Sequence, residues 1–390
     1  MNEPIVRIAA RGDGVTPSGR HIAFGVPGDA VLDDGALALG PHHQEPPCRH
    51  FPECGGCQLQ HADDTVYRDF LVSRVKHALK QHGIETAIRP PHLSPPCSRR
   101  RAALKAMSVG QRVLIGFNAA QSHRIVDMHE CHVLRPELFE LVEPLRHLLN
   151  GMIHPKRVAE VQLTLLDRGV DVQLKSVPAG RLTEIEALTS FAMDYQLARL
   201  GVDRGLGPEA LYEPIPATIV LAGVPVAFAP GSFLQATEDG ERALLEAVEE
   251  AVASSGPTAD LFAGLGTFAL GIGATYAAEA SRDAAAALQR AAPAMKVEHR
   301  DLYRRPLDPS ELKTFGSVVL DPPRAGATEQ IEALGRSSVG RIAYVSCNPA
   351  TFARDADTLL RGGYRLEWVQ LVGQFRWSTH VELAACFTRG

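Results

Sequence analysis

No run of apolar residues in this 390-residue chain reaches the roughly 20 needed to cross a bilayer as a helix. The opening Met1-Asn2-Glu3-Pro4 lacks the basic-then-apolar pattern of an export signal. Membrane insertion and secretion are not expected, and a cytoplasmic enzyme is. There is no excess of positive charge either, because 40 Lys and Arg stand against 45 Asp and Glu, a net charge of -5. That balance speaks mildly against a protein that coats nucleic acid. An enzyme that acts on one RNA site needs only a local basic face. Cysteine is sparse and odd in number, seven in all, yet three of the seven fall within ten residues. In a chain without an export signal such crowding points to metal binding, not to disulfides.

What is present reads as a globular protein of two or three domains, with 45% hydrophobic and 22% charged residues. Residues 1–45 alternate apolar and polar positions between glycines, as in Ile5-Val6-Arg7-Ile8 and His21-Ile22-Ala23-Phe24. This predicts a small antiparallel β module with tight turns. Small barrels of this kind often bind RNA, and a plain β appendage is equally compatible with the pattern.

A proline-bearing linker, 41–47, leads to Cys48, Cys54 and Cys57, with Gly55-Gly56 between the last two. Three thiols in a glycine-bearing loop can converge on one metal centre, because glycine lets the backbone fold closely around it. A fourth ligand must come from elsewhere. Cys131 is the first choice and Cys97 its competitor; zinc completed by His50 or His61 is the other reading. The spacing is wider than that of radical-generating cluster enzymes, so radical chemistry is not expected.

Thr65 to His82 carries an apolar stripe ended by Gly83 and predicts a helix. Ser98-Arg99-Arg100-Arg101, with Lys105, is the densest positive charge in the chain. It is either a solvated face or a phosphate-binding patch. Residues 46–227 otherwise read as an α+β middle domain, with a helix near 136–150 and strands such as 113–117, 160–166 and 170–175.

From about residue 228 the pattern becomes alternating strand and helix, the signature of an α/β fold with ligands at the carboxyl ends of its strands. Gly231-Ser232-Phe233-Leu234-Gln235 precedes a long helix from Glu238 to Ser254. Asp260 to Phe268, including Phe262, Gly264, Gly266 and Thr267, is a strand end and glycine-bearing loop suited to a nucleotide-like cofactor. Glu279, at the next strand end, can accept from ribose hydroxyls, and Asp301, after the following strand, from an adenine amino group. Ser317 to Leu320 ends in Asp321-Pro322-Pro323-Arg324, where two prolines form a rigid, donor-poor wall that holds the acid towards the crevice. Arg341 to Val345 then leads to Ser346-Cys347-Asn348-Pro349, placing a thiol at a strand end beside Asp321. Glu382 opens the last strand. A carboxylate beside a thiol does little to stabilise a thiolate. It suits a base acting on a substrate that the thiol holds.

On these residues the chain resembles the class I RNA uracil-C5 methyltransferases, which make 5-methyluridine. The resemblance covers nearly the whole length. It rests on the cysteine loop, Phe233-x-Gln235, Asp260 to Phe268, Leu320 to Arg324, Ser346 to Thr351 with Arg354-Asp355, and His380-Val381-Glu382. It implies a Rossmann-like methyltransferase domain with a mixed seven-stranded sheet at 228–390. It also implies an α+β central domain at 46–227 carrying a [4Fe–4S] cluster on Cys48, Cys54, Cys57 and Cys131, and a short TRAM-type RNA-binding barrel at 1–45. S-adenosylmethionine is the implied cofactor, at Gln235, Phe262, Thr267, Glu279 and Asp321, with Asp301 as an addition. Cys347 is the implied nucleophile towards uracil C6, and Glu382 the implied acceptor of the C5 proton. The cysteine loop inclines the expectation towards 23S ribosomal RNA. The transfer RNA T-loop is the alternative substrate, and no obligate protein partner is expected.

The chain also departs from that family. The N-terminal module is short, Thr267 stands where asparagine is usual, and Gly373 and Phe375-Arg376 replace an acid and a Phe-Pro pair before the final glutamate. Readings outside this chemistry are an RNA-binding or chaperone-like protein that retains the fold, and methylation of an exocyclic base nitrogen. The Cys347–Glu382 combination argues against the latter, since nitrogen methylation needs no covalent thiol.

Overall fold

The computed structural model describes residues 2–253 and 256–390. The strands Lys296–His299, Tyr276–Glu279, Thr258–Leu261, Ser317–Leu320 and Arg341–Ser346 lie side by side in that order, all parallel. All four residues of Ser317–Leu320 are buried, as befits a strand covered on both faces. From Thr258–Leu261 the chain builds outward to one edge and then returns to add Ser317–Leu320 on the other side. That reversal opens a crevice beyond the carboxyl ends of those two strands. The last strand, Glu382–Thr388, inserts antiparallel between Arg341–Ser346 and Arg365–Gly373. These seven strands form the expected mixed sheet. Two short strands, Ala87–Ile88 and His92–Leu93, extend it past Arg365–Gly373.

The helix predicted at Thr65 to His82 runs from Asp64 to Lys80, and the Asp63 carboxylate caps it by accepting from the Val66 amide. Its Tyr67, Phe70, Leu71 and Val75 are buried with Tyr344, Phe352 and Phe387 in the core of the large sheet. A segment distant in sequence therefore braces the helix Pro349–Arg361, which follows Cys347. The helix Glu238–Val252 is capped by Thr237; its expected end at Ser254 lies outside the described residues.

A second, six-stranded sheet runs in the order Arg112–Gly116, Arg101–Val109, Val158–Leu166, Gly169–Lys175, Arg199–Asp203, Pro208–Tyr212. The helix expected near 136–150 forms as two pieces, Pro136–Phe139 and Val142–Leu149. Arg199 is buried in this sheet against Asp171, at 2.8 Å, and donates to the Phe228 carbonyl, which ties the sheet to the start of the C-terminal half. The N-terminal residues form two separate three-stranded antiparallel sheets, and no ladder joins them among the described residues. The expected β module is thus present as paired short strands; a closed barrel is not among its ladders. No helix of the described residues is long and apolar enough to cross a membrane.

Candidate active site

Arg341–Ser346 ends where its backbone turns into a helix. Asn348 accepts from the Ala350 amide as the helix cap, and Pro349 takes the first helical position, where a missing N–H costs nothing. Cys347 lies on this turn, outside the ladder. Ser346 pairs with Leu383 in the neighbouring antiparallel strand, so Cys347 and Glu382 follow one step beyond that pair. Both line one cavity of about 610 Å³, a size suited to a nucleoside-sized ligand.

The electrostatics of this mouth are dominated by burial. Glu382 is pushed up to about 8, first by desolvation and then by the negative charge of Asp321. Asp321 is pushed up to about 7 by burial. Desolvation, followed by the charges of Glu382 and Asp321, pushes the Cys347 thiol up to about 11, while Arg324 pulls in the opposite direction. In the free protein the thiol is therefore neutral. The two carboxyl groups stand poised to titrate near neutrality.

Gln235, Phe262, Thr267, Glu279, Asp301 and Asp321 line the same cavity as Cys347 and Glu382. All eight residues singled out from the C-terminal half are thus brought together. The loop after Thr258–Leu261 achieves this through left-handed backbone at Phe262, Gly264 and Gly266. A Cβ at Gly266 would stand 2.4 Å from the Leu288 side chain, so this turn requires glycine twice over. Glu279 accepts from the Gly264 amide at 2.9 Å and from the Ser281 amide at 2.6 Å, which fixes its carboxylate at the cavity edge. Asp301 accepts from the Tyr303 amide at 3.0 Å. Asp260 does not reach the cavity. It is wholly buried, and burial holds it well above the usual carboxylate range.

The arginine run is not the exposed patch that the sequence allows for. Arg100 is buried, donates to Glu241 at 2.6 Å and to the Gln235 carbonyl at 3.1 Å, and so anchors the cavity wall. Arg101 lies over the Phe233 ring at 4.7 Å and lines the cavity; Arg99 lies over Phe375. Charge density in sequence could not reveal this, because successive residues of an extended segment face different neighbours. Tyr303, Arg101 and Gln374 also line the cavity and were not singled out as site residues. Tyr303 packs 5.6 Å from Phe262, a contact between segments that no local pattern announces.

A second depression of about 910 Å³ runs from Arg11 and Phe24 past Phe51, Phe117 and Arg99 to Phe375 and His380. Phe375 and His380 line the first cavity as well, so the two adjoin at these side chains.

Cys48, Cys54, Cys57 and Cys131 line a third, small cavity together with His50. Gly55 permits a close approach in this loop, since a Cβ there would lie 2.8 Å from the Asn118 carbonyl oxygen. Cys97 is exposed and does not line it. His61 is buried apart from the thiols, with both ring nitrogens unpartnered. Among the described residues no group of three or more His, Cys, Asp or Glu is placed to hold a metal ion. The four thiols therefore border one space, in an arrangement that does not itself form a metal-binding group.

Comparison with known proteins places this architecture. A family model described as tRNA (Uracil-5-)-methyltransferase matches residues 292–389. An uncharacterized RNA methyltransferase of Zymomonas mobilis is 48% identical, with 99% of each chain covered. The 23S rRNA (uracil(1939)-C(5))-methyltransferase RlmD of Pectobacterium atrosepticum is 32% identical, over 90% of this chain and 81% of its own length. Among solved structures, the tRNA (uracil-54, C5)-methyltransferase of Pyrococcus abyssi, in complex with S-adenosyl-L-homocysteine, superposes with a TM-score of 0.78. At 24% identity, covering 100% of this chain and 99% of that one, it shares the fold. The sheet with its inserted last strand, the cavity at its switch point and these full-length relatives together make the chain a member of the RNA uracil-5-methyltransferase family.

Proposed function

We propose that this protein transfers a methyl group from S-adenosylmethionine to C5 of a uridine in 23S ribosomal RNA, through a covalent adduct between Cys347 and uracil C6. The observation that carries the reading is the juxtaposition of Cys347 and Glu382 at the ends of adjacent antiparallel strands, facing one cavity. Ribosomal RNA is favoured by the relative named as a 23S rRNA methyltransferase, 32% identical over 90% of this chain.

Gln235, Phe262, Thr267, Glu279, Asp301 and Asp321 would hold the cofactor. When bound, S-adenosylmethionine supplies an electrophilic methyl group on a positively charged sulfur, and that charge favours the ionised forms of the nearby acids. The Cys347 thiol gives up its proton to solvent as it engages the uracil ring, the Arg324 guanidinium favouring the thiolate. Its sulfur bonds to C6, and the electron pair of the C5=C6 double bond becomes available at C5 to take the methyl group. Glu382, ionised at this stage, accepts the C5 proton. The C5=C6 bond re-forms as the sulfur–C6 bond breaks, and Cys347 is released.

The target base must leave its stack to reach this depth. The groove containing Phe24, Phe51, Phe117 and Phe375 offers stacking faces, and Arg11 and Arg99 offer positive charge for the flanking strand. In this reading Cys48, Cys54, Cys57 and Cys131 would hold a [4Fe–4S] cluster. The reaction moves no electrons, so the cluster's role is to shape the wall that Phe51, Gly56, Cys57 and Phe117 share with the groove. A cytoplasmic location belongs to the same reading.

The test is site-mapped nucleoside mass spectrometry of ribosomal and transfer RNA from cells lacking the protein and from their parent. Loss of 5-methyluridine at one 23S position is the expected result. Loss from transfer RNA would give the substrate to the T-loop reading, and an unchanged nucleoside profile would leave an RNA-binding role.

A further inference from the structure

The residues that replace the acid and the Phe-Pro pair before the final glutamate form a connected device. Gly373 lies at the end of its strand, paired with Leu93. A Cβ there would stand 2.8 Å from the Leu93 side chain and 3.1 Å from that of Leu71, so a larger residue would have to displace the side chains of Leu93 and Leu71. Arg376 bonds to Asp64 and to the Ser94 carbonyl, which clamps the segment from the other side. Between them lies Gln374, 1% exposed and facing the cavity wall.

The hydrogen bonds of Gln374 have only one consistent direction. The backbone N–H of Ala236 can only donate, so the Gln374 oxygen must face it, at 2.8 Å. The Gln374 NH2 group is thereby turned to Gln235, whose oxygen accepts from it at 2.7 Å. That leaves the Gln235 NH2 group directed at Asp321, at 3.4 Å. A side-chain amide is free to flip when its partners can both donate and accept; here a main-chain donor removes that freedom two links away. Gly240 makes room for the arrangement, since a Cβ there would lie 2.8 Å from Gln374 Cβ.

We infer that Gln374 is a positioning residue that locks the Gln235 amide with its NH2 group towards Asp321 and the cavity, and so sets affinity for S-adenosylmethionine. The inference rests on the proposed cofactor reading of that cavity. Both side chains lie in the interior, so the lock is formed before any ligand arrives and costs no ordering upon binding.

Two variants separate positioning from packing. Gln374→Met keeps length and bulk but loses the lock. Gln374→Glu presents acceptors to both neighbours, so Gln235 must turn its NH2 group away from Asp321 and set its oxygen against that carboxyl. Calorimetric titration with S-adenosylhomocysteine, which needs no turnover, is the readout. The expected dissociation constant rises about threefold to tenfold for Gln374→Met and tenfold or more for Gln374→Glu. In a Gln235→Ala background the same substitutions should each change it less than twofold. Equal losses with and without Gln235, or no loss in either variant, would overturn the inference. A wild-type protein that binds no S-adenosylhomocysteine would instead remove the cofactor reading beneath it, and this inference with it.

Discussion

Replacing Glu382 with glutamine separates the chemical role of this residue from its energetic one. Burial raises its carboxyl from the ordinary 4.5 to about 8. Below pH 4.5 the group is neutral in both folded and unfolded chains and contributes no pH dependence. Between 4.5 and 8 the unfolded chain ionises while the folded site keeps its proton, so stability falls as pH rises. Above 8 the penalty is constant. At about 1.4 kcal/mol per unit of pKa, the interval from 4.5 to about 8 amounts to at most on the order of 5 kcal/mol. An unfolding entropy of roughly 2.1 cal/mol/K per residue over 390 residues converts that to a rise in Tm of about 6 °C. Glutamine mimics the neutral acid at every pH. The Tm of Glu382→Gln should therefore match the parent near pH 4.5 and exceed it increasingly up to pH 8, as followed by thermal unfolding across that range. In the same variant, methylation of an RNA fragment should proceed once and then leave a denaturation-resistant protein–RNA adduct, because the C5 proton cannot be removed. Parallel stability curves would refute the burial argument, and turnover without adduct would refute the assignment of the base.

Other outcomes follow from the same geometry. Cys347→Ala should abolish methyl transfer, by at least about a thousandfold, while S-adenosylhomocysteine binding measured by calorimetry stays within about twofold; surviving turnover would remove the covalent route. The parent kcat/KM should rise with pH up to about 8, as Glu382 ionises, in a steady-state pH profile. Anaerobically purified protein should be brown from its iron–sulfur centre and lose that chromophore in Cys54→Ser; a colourless protein with one zinc per chain would return the site to the zinc reading. Phe24→Ala, at a ring 43% exposed over the groove, should raise the KM for RNA about tenfold and leave kcat unchanged; an unaltered KM would take the N-terminal module out of RNA recognition.

The chemistry was legible because it resides in short stretches. Ser346 to Pro349 carries its own strand end, helix cap and thiol, and Asp321 with two prolines carries its own rigid mouth, so local rules locate both. The run of strand ends at Leu261, Glu279, His299 and Leu320 likewise announces a parallel sheet through the alternation of buried runs and helices. The sheet extension by Ala87–Ile88 and His92–Leu93 was not legible, because two-residue strands have no periodicity to read and are held by their neighbour Arg365–Gly373.

The residue types by themselves therefore marked the groups that gather at the cavity: a thiol, an acid at the start of the last strand, and three acids and a glycine loop at successive strand ends. Only the tertiary structure decided how those groups are tuned and what surrounds them. It buried Arg100 against Glu241, turned Arg101 onto Phe233, and placed Tyr303 beside Phe262. It also drew four thiols around one space and set the Gln374–Gln235 lock behind the cavity wall. Each of these depends on contacts between segments tens to hundreds of residues apart, and burial and partner identity are properties of that packing, not of the local sequence.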